Sequence, residues 1–191
     1  AMVPLQVYDS ISNPEERRLL MGVRQLIIGG GAVDDALCDA LKDFPNAVWS
    51  TYGMTETLSH IALRRLNGPE ASEWYTPFEN VSVATDADGC LMIDAPAVCE
   101  KRLKTNDIAE LDADGRRFRI IGRKDNVVCS GGIKMQIEEM ERQLKPHAAC
   151  RFMITKVKDH RLGEAVAMLV EGDESETMRR LCEEHLPKYS R

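Results

Sequence analysis

The fold is decided by residues 23–56, which read VRQLIIGGGAVDDALCDALKDFPNAVWSTYGMTE. The first apolar run ends at Ile28, and the three glycines that follow predict a buried strand leading into a tight turn. Residues 33–42 place apolar side chains at helical spacing, with two aspartates near their start, which predicts a helix. Residues 47–52 predict a second strand, and we expect a further helix from about Thr55. This alternation predicts a parallel sheet covered by helices.

The chain changes character after about residue 75, where short alternating runs predict a small antiparallel β unit. The predicted strands lie at 81–83, 90–93, 108–111 and 117–121, with Asp-Gly turns at 88–89 and 114–115. From Ile137 the helical spacing returns, with Glu138, Glu139 and Glu141 on the outer face. Strands at about 149–156 and 165–171 and a helix at about 175–185 complete a predicted α+β module.

Charge and hydropathy exclude several classes of protein. The 191 residues carry a formal charge of −6, which argues against a general nucleic-acid binder. Residues 1–122 contain 12 basic and 19 acidic residues, whereas residues 123–191 contain 13 and 12, so two regions of different character meet near residue 122. The apolar runs are far shorter than the roughly 20 residues of a membrane span. The six cysteines lack C-x-x-C spacing, and without a recognisable signal peptide we expect reduced thiols in a cytoplasmic protein.

Two glycine-containing turns follow the predicted strands. Gly29–Ala32 would let the backbone approach a flat ring or a phosphate, and a plain tight turn is the alternative. Tyr52–Glu56 combines an aromatic ring, a glycine, a hydroxyl and a carboxylate able to hold Mg²⁺, at the strand end where open α/β sheets bind ligands. The alternative is a turn in which Thr55 caps a helix and Glu56 lies at the positive end of that helix.

Two further motifs lie in the second half of the chain. Asp107 and Arg123 flank the predicted hairpin and would share a polar ligand such as a ribose diol. The alternative is a loop aspartate and a surface ion pair. Ser130–Gly132 would leave a narrow passage beside the backbone, or form a plain flexible turn.

In this order, the motifs resemble those of the adenylate-forming superfamily, which includes acyl- and aryl-CoA synthetases, nonribosomal peptide adenylation domains and beetle luciferases. The matching residues are Gly29–Ala32, Tyr52–Glu56, Asp107, Gly122–Asp125 and Ser130–Gly132. Within the superfamily, residues 52–59 (YGMTETLS) and 122–132 (GRKDNVVCSGG) resemble the o-succinylbenzoate–CoA ligases of menaquinone biosynthesis.

The resemblance implies a ligase that runs two half-reactions. A carboxylate attacks the α-phosphate of MgATP to give acyl-AMP and pyrophosphate, and the thiol of coenzyme A then displaces AMP. The implied cofactors and partners are therefore ATP and AMP, Mg²⁺, coenzyme A as a substrate and a small carboxylic acid, with o-succinylbenzoate as the acid. Neither nucleic acid nor a membrane span is expected, and an oligomer stays open.

The resemblance also implies roles for individual residues. The implied nucleotide-binding residues are Gly29, Gly30, Gly31, Ala32, Tyr52, Gly53, Met54, Thr55, Asp107 and Arg123. Gly29–Ala32 would line the adenine slot, and Tyr52 would pack against the adenine ring. Thr55 would hydrogen-bond a phosphate oxygen and Glu56 would hold Mg²⁺, so these two are the implied catalytic residues.

The ribose and the later steps fall to residues further along the chain. Asp107 would accept hydrogen bonds from both ribose hydroxyls, assisted by Arg123. Asp125 would be the hinge about which the C-terminal module rotates between the half-reactions. Gly131 and Gly132 would border the tunnel for the pantetheine of coenzyme A.

The implied fold is the C-terminal part of the large adenylate-forming domain, followed by a small mobile α+β domain. We predict a partial α/β subdomain at 1–75, an antiparallel β subdomain at 76–122, a hinge at 123–126, and a C-terminal α+β domain at 127–191 that lacks its final segment. Ser59 and His60 would lie near the acyl pocket, and a plain helix histidine is the alternative for His60.

Two features of the superfamily have no match in the sequence. No phosphate loop with its lysine precedes Gly29, and no C-terminal lysine occurs in a Gly-Lys context, since Lys188 follows a proline. We therefore expect a fragment truncated at both ends that forms little or no acyl-AMP alone. Two alternatives stay open, namely an adenylation domain that loads a carrier protein and a non-catalytic nucleotide-binding module.

Overall fold

The computed structural model describes residues 1–190, and they divide into two compact units. The first unit comprises Ala1–Ala87, Leu91–Thr105 and Glu110–Arg119. The second comprises Asp88–Cys90, Asn106–Ala109 and residues 120–190.

Helices and strands are mixed along the chain, as the predicted combination of α/β and α+β architecture requires. The helices are α1 (Pro4–Ser12), α2 (Pro14–Gly22), α3 (Asp35–Leu41), α4 (Ile137–Leu144) and α5 (Ser175–His185). The first six strands are β1 (Gln25–Ile28), β2 (Ala47–Gly53), β3 (His60–Arg65), β4 (Thr76–Pro77), β5 (Ser82–Thr85) and β6 (Cys90–Asp94). The other six are β7 (Leu103–Leu111), β8 (Phe118–Arg123), β9 (Val127–Ser130), β10 (Ile133–Gln136), β11 (Phe152–Asp159) and β12 (Gly163–Val170). Short 3₁₀ turns lie at Thr55–Thr57, Lys124–Asn126 and Lys188–Ser190.

The first unit contains a sheet with the order β1-β2-β3-β4. Strands β1 and β2 are parallel, with Ile28 opposite Ser50, so the predicted parallel pair is confirmed. Helices α1 and α3 contribute Val7 and Leu37, both fully buried, to the core beneath these strands. Helix α3 begins where the Asp34 carboxylate caps it by accepting from the Leu37 amide at 3.0 Å.

The helix predicted from Thr55 is wrong. The chain makes only a 3₁₀ turn there, and β3 follows and runs antiparallel to β2, with Trp49 opposite Arg65. Leu58 stops the helix because its φ is 61°, in the left-handed region that an α-helix does not use. His60 therefore lies on a strand, so the alternative of a helix histidine is wrong as well.

A second sheet has the order β5-β6-β7-β8 and confirms the predicted β unit. Strands β5 and β6 are antiparallel, with Ser82 opposite Asp94. The predicted turn at 114–115 forms because the Gly115 amide donates to the Asp112 carbonyl at 2.9 Å and Gly115 adopts a φ of 67°.

The second unit contains an antiparallel sheet with the order β10-β9-β12-β11. Its core joins buried residues of the sheet, such as Val128 and Ile154, to Met140 and Leu144 of α4. The predicted helix at 175–185 is confirmed, and the two predicted strands before it lie at β11 and β12. The prediction that Glu138 lies on a solvated outer face is wrong, because its carboxylate is hydrogen-bonded to the chain before β9.

Two observations on the described residues concern membranes and metals. Within residues 1–190, no helix is both long and apolar enough to cross a membrane. The same residues contain no cluster of three or more His, Cys, Asp or Glu side chains that would hold a metal ion by itself. The six cysteines are free thiols.

Candidate functional site

The turn after β2, residues 53–59, is shaped by a close passage of the main chain. A Cβ atom at Gly53 would collide with the carbonyl oxygen of Ser59 and would lie 2.8 Å from the carbonyl carbon of that residue. Because these neighbours are backbone atoms, no side chain can rotate away to make room. Glycine at position 53 is therefore required by space, and its φ is not in the left-handed region.

The hydroxyl of Thr57 holds the same turn from inside. It accepts from the Met54 amide at 3.0 Å, and the carbonyls of Met54 and Ser59 lie 2.9 and 2.7 Å from it as alternative acceptors. Thr57 is only 2% exposed. Thr57 thus makes the capping hydrogen bond that the alternative interpretation gave to Thr55. Sequence reasoning missed Thr57, although its position three residues after Met54 fits a capping arrangement.

Thr55 and Glu56 are left with their side chains at the surface of this turn. Both are exposed, and within residues 1–190 neither side chain has a hydrogen bond or ion pair. A hydroxyl and a carboxylate on a fixed backbone, without internal partners, are suited to bind a polar ligand. Magnesium in nucleotide sites is typically held by one or two carboxylates together with phosphates and water, so the single carboxylate of Glu56 fits MgATP and does not require a protein cage.

Tyr52 belongs to an aromatic cluster. Its ring lies edge-on to Phe118, with centroids 5.1 Å apart, and tilted against Tyr75 at 5.9 Å. Tyr75 is anchored in turn by its hydroxyl, which lies 2.8 Å from the hydroxyl of buried Ser50. The ring predicted to pack on adenine is therefore half-buried and held by two other rings. Phe118 and Tyr75 are distant in sequence from Tyr52, so no local pattern pointed to them.

The glycine turn lies at the same sheet edge as Tyr52. Gly29 follows β1, and a Cβ atom there would collide with the hydroxyl oxygen of Thr51 on neighbouring β2. Gly30 adopts a φ of 77°, which favours glycine. In the first unit, the structure therefore brings Gly29–Ala32 and Tyr52–Glu56 to the carboxyl ends of adjacent parallel strands.

Asp107 and Arg123 meet in the second unit. The Arg123 guanidinium donates to the Asp107 carboxylate at 3.1 Å, and its other terminal nitrogen lies 3.5 Å from the Asp125 carboxylate. Asp107 lies on β7, so the alternative of a loop aspartate is wrong. The Asp107 side chain is 15% exposed and that of Arg123 is 53% exposed, so the pair is half-sheltered and still reachable from solvent.

The backbone around Arg123 is hydrogen-bonded to residues just before and within α4. The side-chain amide nitrogen of Gln136, Nε2, donates to the backbone carbonyl of Arg123 at 2.9 Å. The Glu138 carboxylate accepts from the Arg123 amide at 3.2 Å and from the Asn126 side chain at 2.6 Å. Lys124 forms an ion pair with Asp88 at 2.7 Å. No site role was predicted from the sequence for Gln136, Glu138 or Asp88, whereas Lys124 and Asn126 belong to the predicted hinge at 123–126.

Gly131 and Gly132 form a two-residue hairpin turn between β9 and β10, with Ser130 opposite Ile133. Their φ values are 55° and 86°, as in the turn type that two glycines favour. The hairpin alone explains both glycines, so a role beside a tunnel stays a prediction.

The carboxylate of Glu164, on β12, contacts residues on β9 and β11 in the second unit. Its carboxylate accepts from the Cys129 amide at 2.8 Å and pairs with Lys156 at 3.3 Å. The hydrogen bond from the amide, and then the lysine, lower the pKa of Glu164.

Ser59 and His60 are adjacent and exposed at the end of the turn 53–59. The Ser59 hydroxyl lies 3.0 Å from Nδ1 of His60. The His60 ring lies edge-on to Phe78 at 5.4 Å. Their predicted contact with an acyl group stays a prediction.

Comparison with known proteins identifies what this arrangement resembles. No protein-family model matches the chain. It is 30% identical over 197 aligned positions to the 2-succinylbenzoate–CoA ligase of Bacillus pumilus, an alignment that covers 87% of this chain and 40% of that relative. It is also 30% identical to an acyl-CoA synthetase (AMP-forming)/AMP-acid ligase II-like protein from Dyadobacter fermentans, with a TM-score of 0.62 over 99% of this chain and 56% of that one.

The fold points in the same direction. The o-succinylbenzoate CoA synthetase of Bacillus subtilis, solved in complex with the acyl-adenylate intermediate OSB-AMP, matches all of this chain and 46% of its own, at 21% identity and a TM-score of 0.76. A second structure of that protein, in complex with ATP and a magnesium ion, gives a TM-score of 0.75 at 21% identity and the same coverage.

The chain resembles the adenylate-forming superfamily. Within the superfamily, its resemblance is to the 2-succinylbenzoate–CoA ligases, as the motifs predicted. The chain spans 40% of the Bacillus pumilus ligase and 45% of the 2-succinylbenzoate–CoA ligase of Geobacillus sp. (strain WCH70), to which it is 25% identical over 99% of its own length. The resemblance thus covers nearly all of this chain and between 40% and 56% of the length of these relatives.

Proposed function

We propose that the chain forms the nucleotide side of an ATP-dependent acid–CoA ligase whose acid is o-succinylbenzoate. The observation that carries this proposal is the sheet edge of the first unit. There the glycine turn and Tyr52 lie beside Thr55 and Glu56, whose side chains have no partner within residues 1–190. A polar turn with unused hydroxyl and carboxylate groups, next to a close-approach glycine turn, suits a nucleotide with its phosphates.

In the first half-reaction, an oxygen of the acid attacks the α-phosphorus of ATP and the bond to pyrophosphate breaks. The Thr55 hydroxyl would donate to a phosphate oxygen, and the Glu56 carboxylate would hold the magnesium ion of MgATP. When bound, that ion offsets negative charge on the phosphates. Tyr52, held by Phe118 and Tyr75, would offer a fixed surface to the adenine.

Asp107 and Arg123 would bind the ribose. A carboxylate accepts from two adjacent hydroxyls without further adjustment, and Arg123, already 3.1 Å from Asp107, would donate to the same diol. The guanidinium also fixes the carboxylate orientation before the nucleotide arrives, which lowers the entropy cost of binding.

In the second half-reaction, the thiol sulfur of coenzyme A attacks the acyl carbon, AMP leaves and the thiol proton is released. Asp125 would act as the hinge between the two steps, and Gly131 and Gly132 would border the path of the thiol. Ser59 and His60 would contact the acid. The domain borders at 75, 122 and 126, a cytoplasmic location and any oligomer belong to this proposal as well.

The choice of acid is supported by the relatives. The Bacillus pumilus and Geobacillus relatives carry the name 2-succinylbenzoate–CoA ligase, and the Bacillus subtilis structure holds an OSB-AMP intermediate. Binding of o-succinylbenzoyl sulfamoyl adenylate, compared with the benzoyl analogue, tests this choice on the 191-residue chain. We expect the succinyl-bearing compound to bind more tightly, and equal affinities would contradict the choice of acid.

The nucleotide assignment is tested by Asp107→Ala with Asp114→Ala as its matched control in the same hairpin. We expect Asp107→Ala to weaken AMP binding at least about tenfold, because a sheltered acceptor of two hydrogen bonds is lost. Asp114 is an exposed turn residue, so its variant should bind AMP like the parent chain. Isothermal calorimetry measures both, and unchanged AMP affinity in Asp107→Ala would refute the ribose assignment.

A further inference from the structure

Two side chains, Gln136 and Glu138, fasten the backbone from which Arg123 extends. Glu138 accepts from the Arg123 amide at 3.2 Å, and Gln136 donates to the Arg123 carbonyl at 2.9 Å. Both main-chain polar groups of Arg123 are therefore bound by this pair. Glu138 also accepts from Asn126 at 2.6 Å, at the far end of the same segment. We name Gln136 and Glu138 the α4 clamp.

The sequence leaves room for the α4 clamp at Gly122. A Cβ atom there would collide with the side-chain nitrogen of Gln136 and would lie 2.7 Å from the Glu138 carboxylate. The φ of Gly122 is not in the left-handed region, so conformation does not require glycine. Glycine at 122 therefore leaves both side-chain ends in place, whereas a residue with a Cβ atom would displace them.

The neighbouring glutamate shows that the clamp is more than an acidic residue at a helix start. An acid in the first turn of a helix is favourable anyway, and both Glu138 and Glu139 lie in the first turn of α4. Glu139 pairs with Arg142 at 3.0 Å, within its own helix. Glu138 instead accepts hydrogen bonds from Arg123 and Asn126, in the segment before β9, so its carboxylate holds the backbone of that segment.

We propose that Gln136 and Glu138 are positioning residues that keep the Arg123 guanidinium in place beside Asp107 for the nucleotide ribose. An arginine side chain has several rotatable bonds, and its tip is placed only if the backbone at its base is fixed. The clamp fixes that backbone on both sides of the Cα atom, and Asp107 and Asp125 receive the guanidinium at the other end. This inference rests on the proposed function, because the ribose is that of the proposed nucleotide.

The test compares Glu138→Ala with the matched control Glu139→Ala in the 191-residue chain. The first measurement is amide hydrogen exchange at Arg123 by NMR, which needs no ligand. We expect exchange to accelerate about tenfold in Glu138→Ala, because the amide loses its acceptor, and to stay at the parent rate in Glu139→Ala. An unchanged rate in Glu138→Ala would overturn the clamp itself.

The second measurement is a double-mutant cycle on AMP affinity. We expect Glu138→Ala to weaken AMP binding about five- to tenfold in the parent chain and to have no further effect in an Arg123→Ala background. Equal weakening in both backgrounds would show that Glu138 supports the fold in general, and would overturn the positioning role. Gln136→Ala and the conservative Glu138→Gln, which keeps one acceptor, should give intermediate losses and serve if Glu138→Ala fails to fold.

The two measurements separate the inference from the proposed function. If the parent chain binds no AMP, the proposed function fails, and amide exchange still decides whether the clamp holds Arg123. If the parent chain binds AMP and Arg123→Ala weakens it while Glu138→Ala does not, the proposed function stands and the positioning role is wrong.

Discussion

The turn 53–59 in the first unit and the segment 122–126 in the second differ in what holds their backbone in place. In the turn, packing of the main chain at Gly53 and the buried Thr57 hydroxyl set the shape, while the side chains of Thr55 and Glu56 take no part in it. In the segment, side chains hold the backbone, and Arg123 itself is engaged with carboxylates.

This difference has a consequence for mutagenesis. In the turn 53–59, different residues hold the backbone and face the proposed ligand, so a substitution should change either the free energy of unfolding or ligand affinity. In the segment 122–126, one network of side chains does both, so a substitution should change stability and affinity together. Substitutions in the turn 53–59 test whether shape and ligand binding are carried by different residues there.

Replacing Gly53 by alanine should produce the largest loss. The added Cβ would overlap main-chain atoms of Ser59 and His60, which cannot move without displacing β3. We expect the free energy of unfolding to fall by about 3 kcal/mol, the upper range for overpacking. Urea unfolding measures it. Gly22→Ala is the control, because nothing lies within 4 Å of a Cβ there, and it should not destabilise the chain. A stable Gly53→Ala variant would contradict the close passage.

Replacing Thr57 by valine should have the next largest effect. The variant keeps the shape of the side chain and removes a buried hydroxyl that serves the Met54 amide and one of two carbonyls. We expect a loss of about 2 kcal/mol, because buried polar groups are left unpaired.

Thr55→Val is its matched control two residues away. Thr55 is exposed and without a partner within residues 1–190, so its variant should change the free energy of unfolding by less than about 0.5 kcal/mol. Equal losses in the two variants would mean that the turn does not separate shape from chemistry.

The separation in the turn also shows what the sequence could and could not predict. Strands β1 and β2 follow from apolar runs that end in glycine, and α5 from helical spacing, because these signals are local. Strand β3 was mistaken for a helix, since LSHIALRR fits either structure as an isolated peptide. Its pairing with β2, which lies outside the run, favours the strand, and Leu58 at the start of the run has a φ of 61°, which an α-helix does not use.

The same distinction holds for the candidate site. The order of the motifs predicts ligand-binding roles for Tyr52, Thr55, Glu56, Asp107 and Arg123, and these roles stay predictions. The residues that support them were missed, because Phe118 reaches Tyr52, and Glu138 reaches Arg123, only through the fold. A motif marks the groups that would touch a ligand, whereas their supports are set by tertiary contacts that a single sequence does not display.

Replacing Glu56 by glutamine tests the ligand-binding role that we propose for the turn 53–59. The variant removes a charge that has no partner within residues 1–190, so stability should stay at the parent value. If the proposed function holds, affinity for MgATP should fall about tenfold, or about 1.4 kcal/mol, whereas affinity for AMP without magnesium should not change. Calorimetry with both ligands measures the contrast. Equal losses for MgATP and AMP would remove the assignment of Glu56 to the metal.

The smallest expected change in stability concerns the Asp112 carboxylate, which, unlike that of Glu56, is hydrogen-bonded within its own turn. Asp112 accepts from the amides of Arg116 and Arg117 at 2.8 and 3.0 Å and from the Arg117 guanidinium at 2.8 Å. These hydrogen bonds, led by those from Arg117, lower the pKa of Asp112 to about 2.

Because the folded pKa of Asp112 lies below its unfolded value near 3.8, its stabilising contribution is present above about pH 4 and is lost as the pH falls towards 2. Asp112→Asn should therefore lower the free energy of unfolding slightly at pH 7 and flatten its decline below pH 4. Near pH 2 the variant and the parent should converge, which serves as the internal control. A constant difference between them from pH 7 to pH 2 would mean that the carboxylate charge contributes nothing. In that case the Asp112 carboxylate would not stabilise the fold through its charge, and it would not differ from the Glu56 carboxylate in this respect.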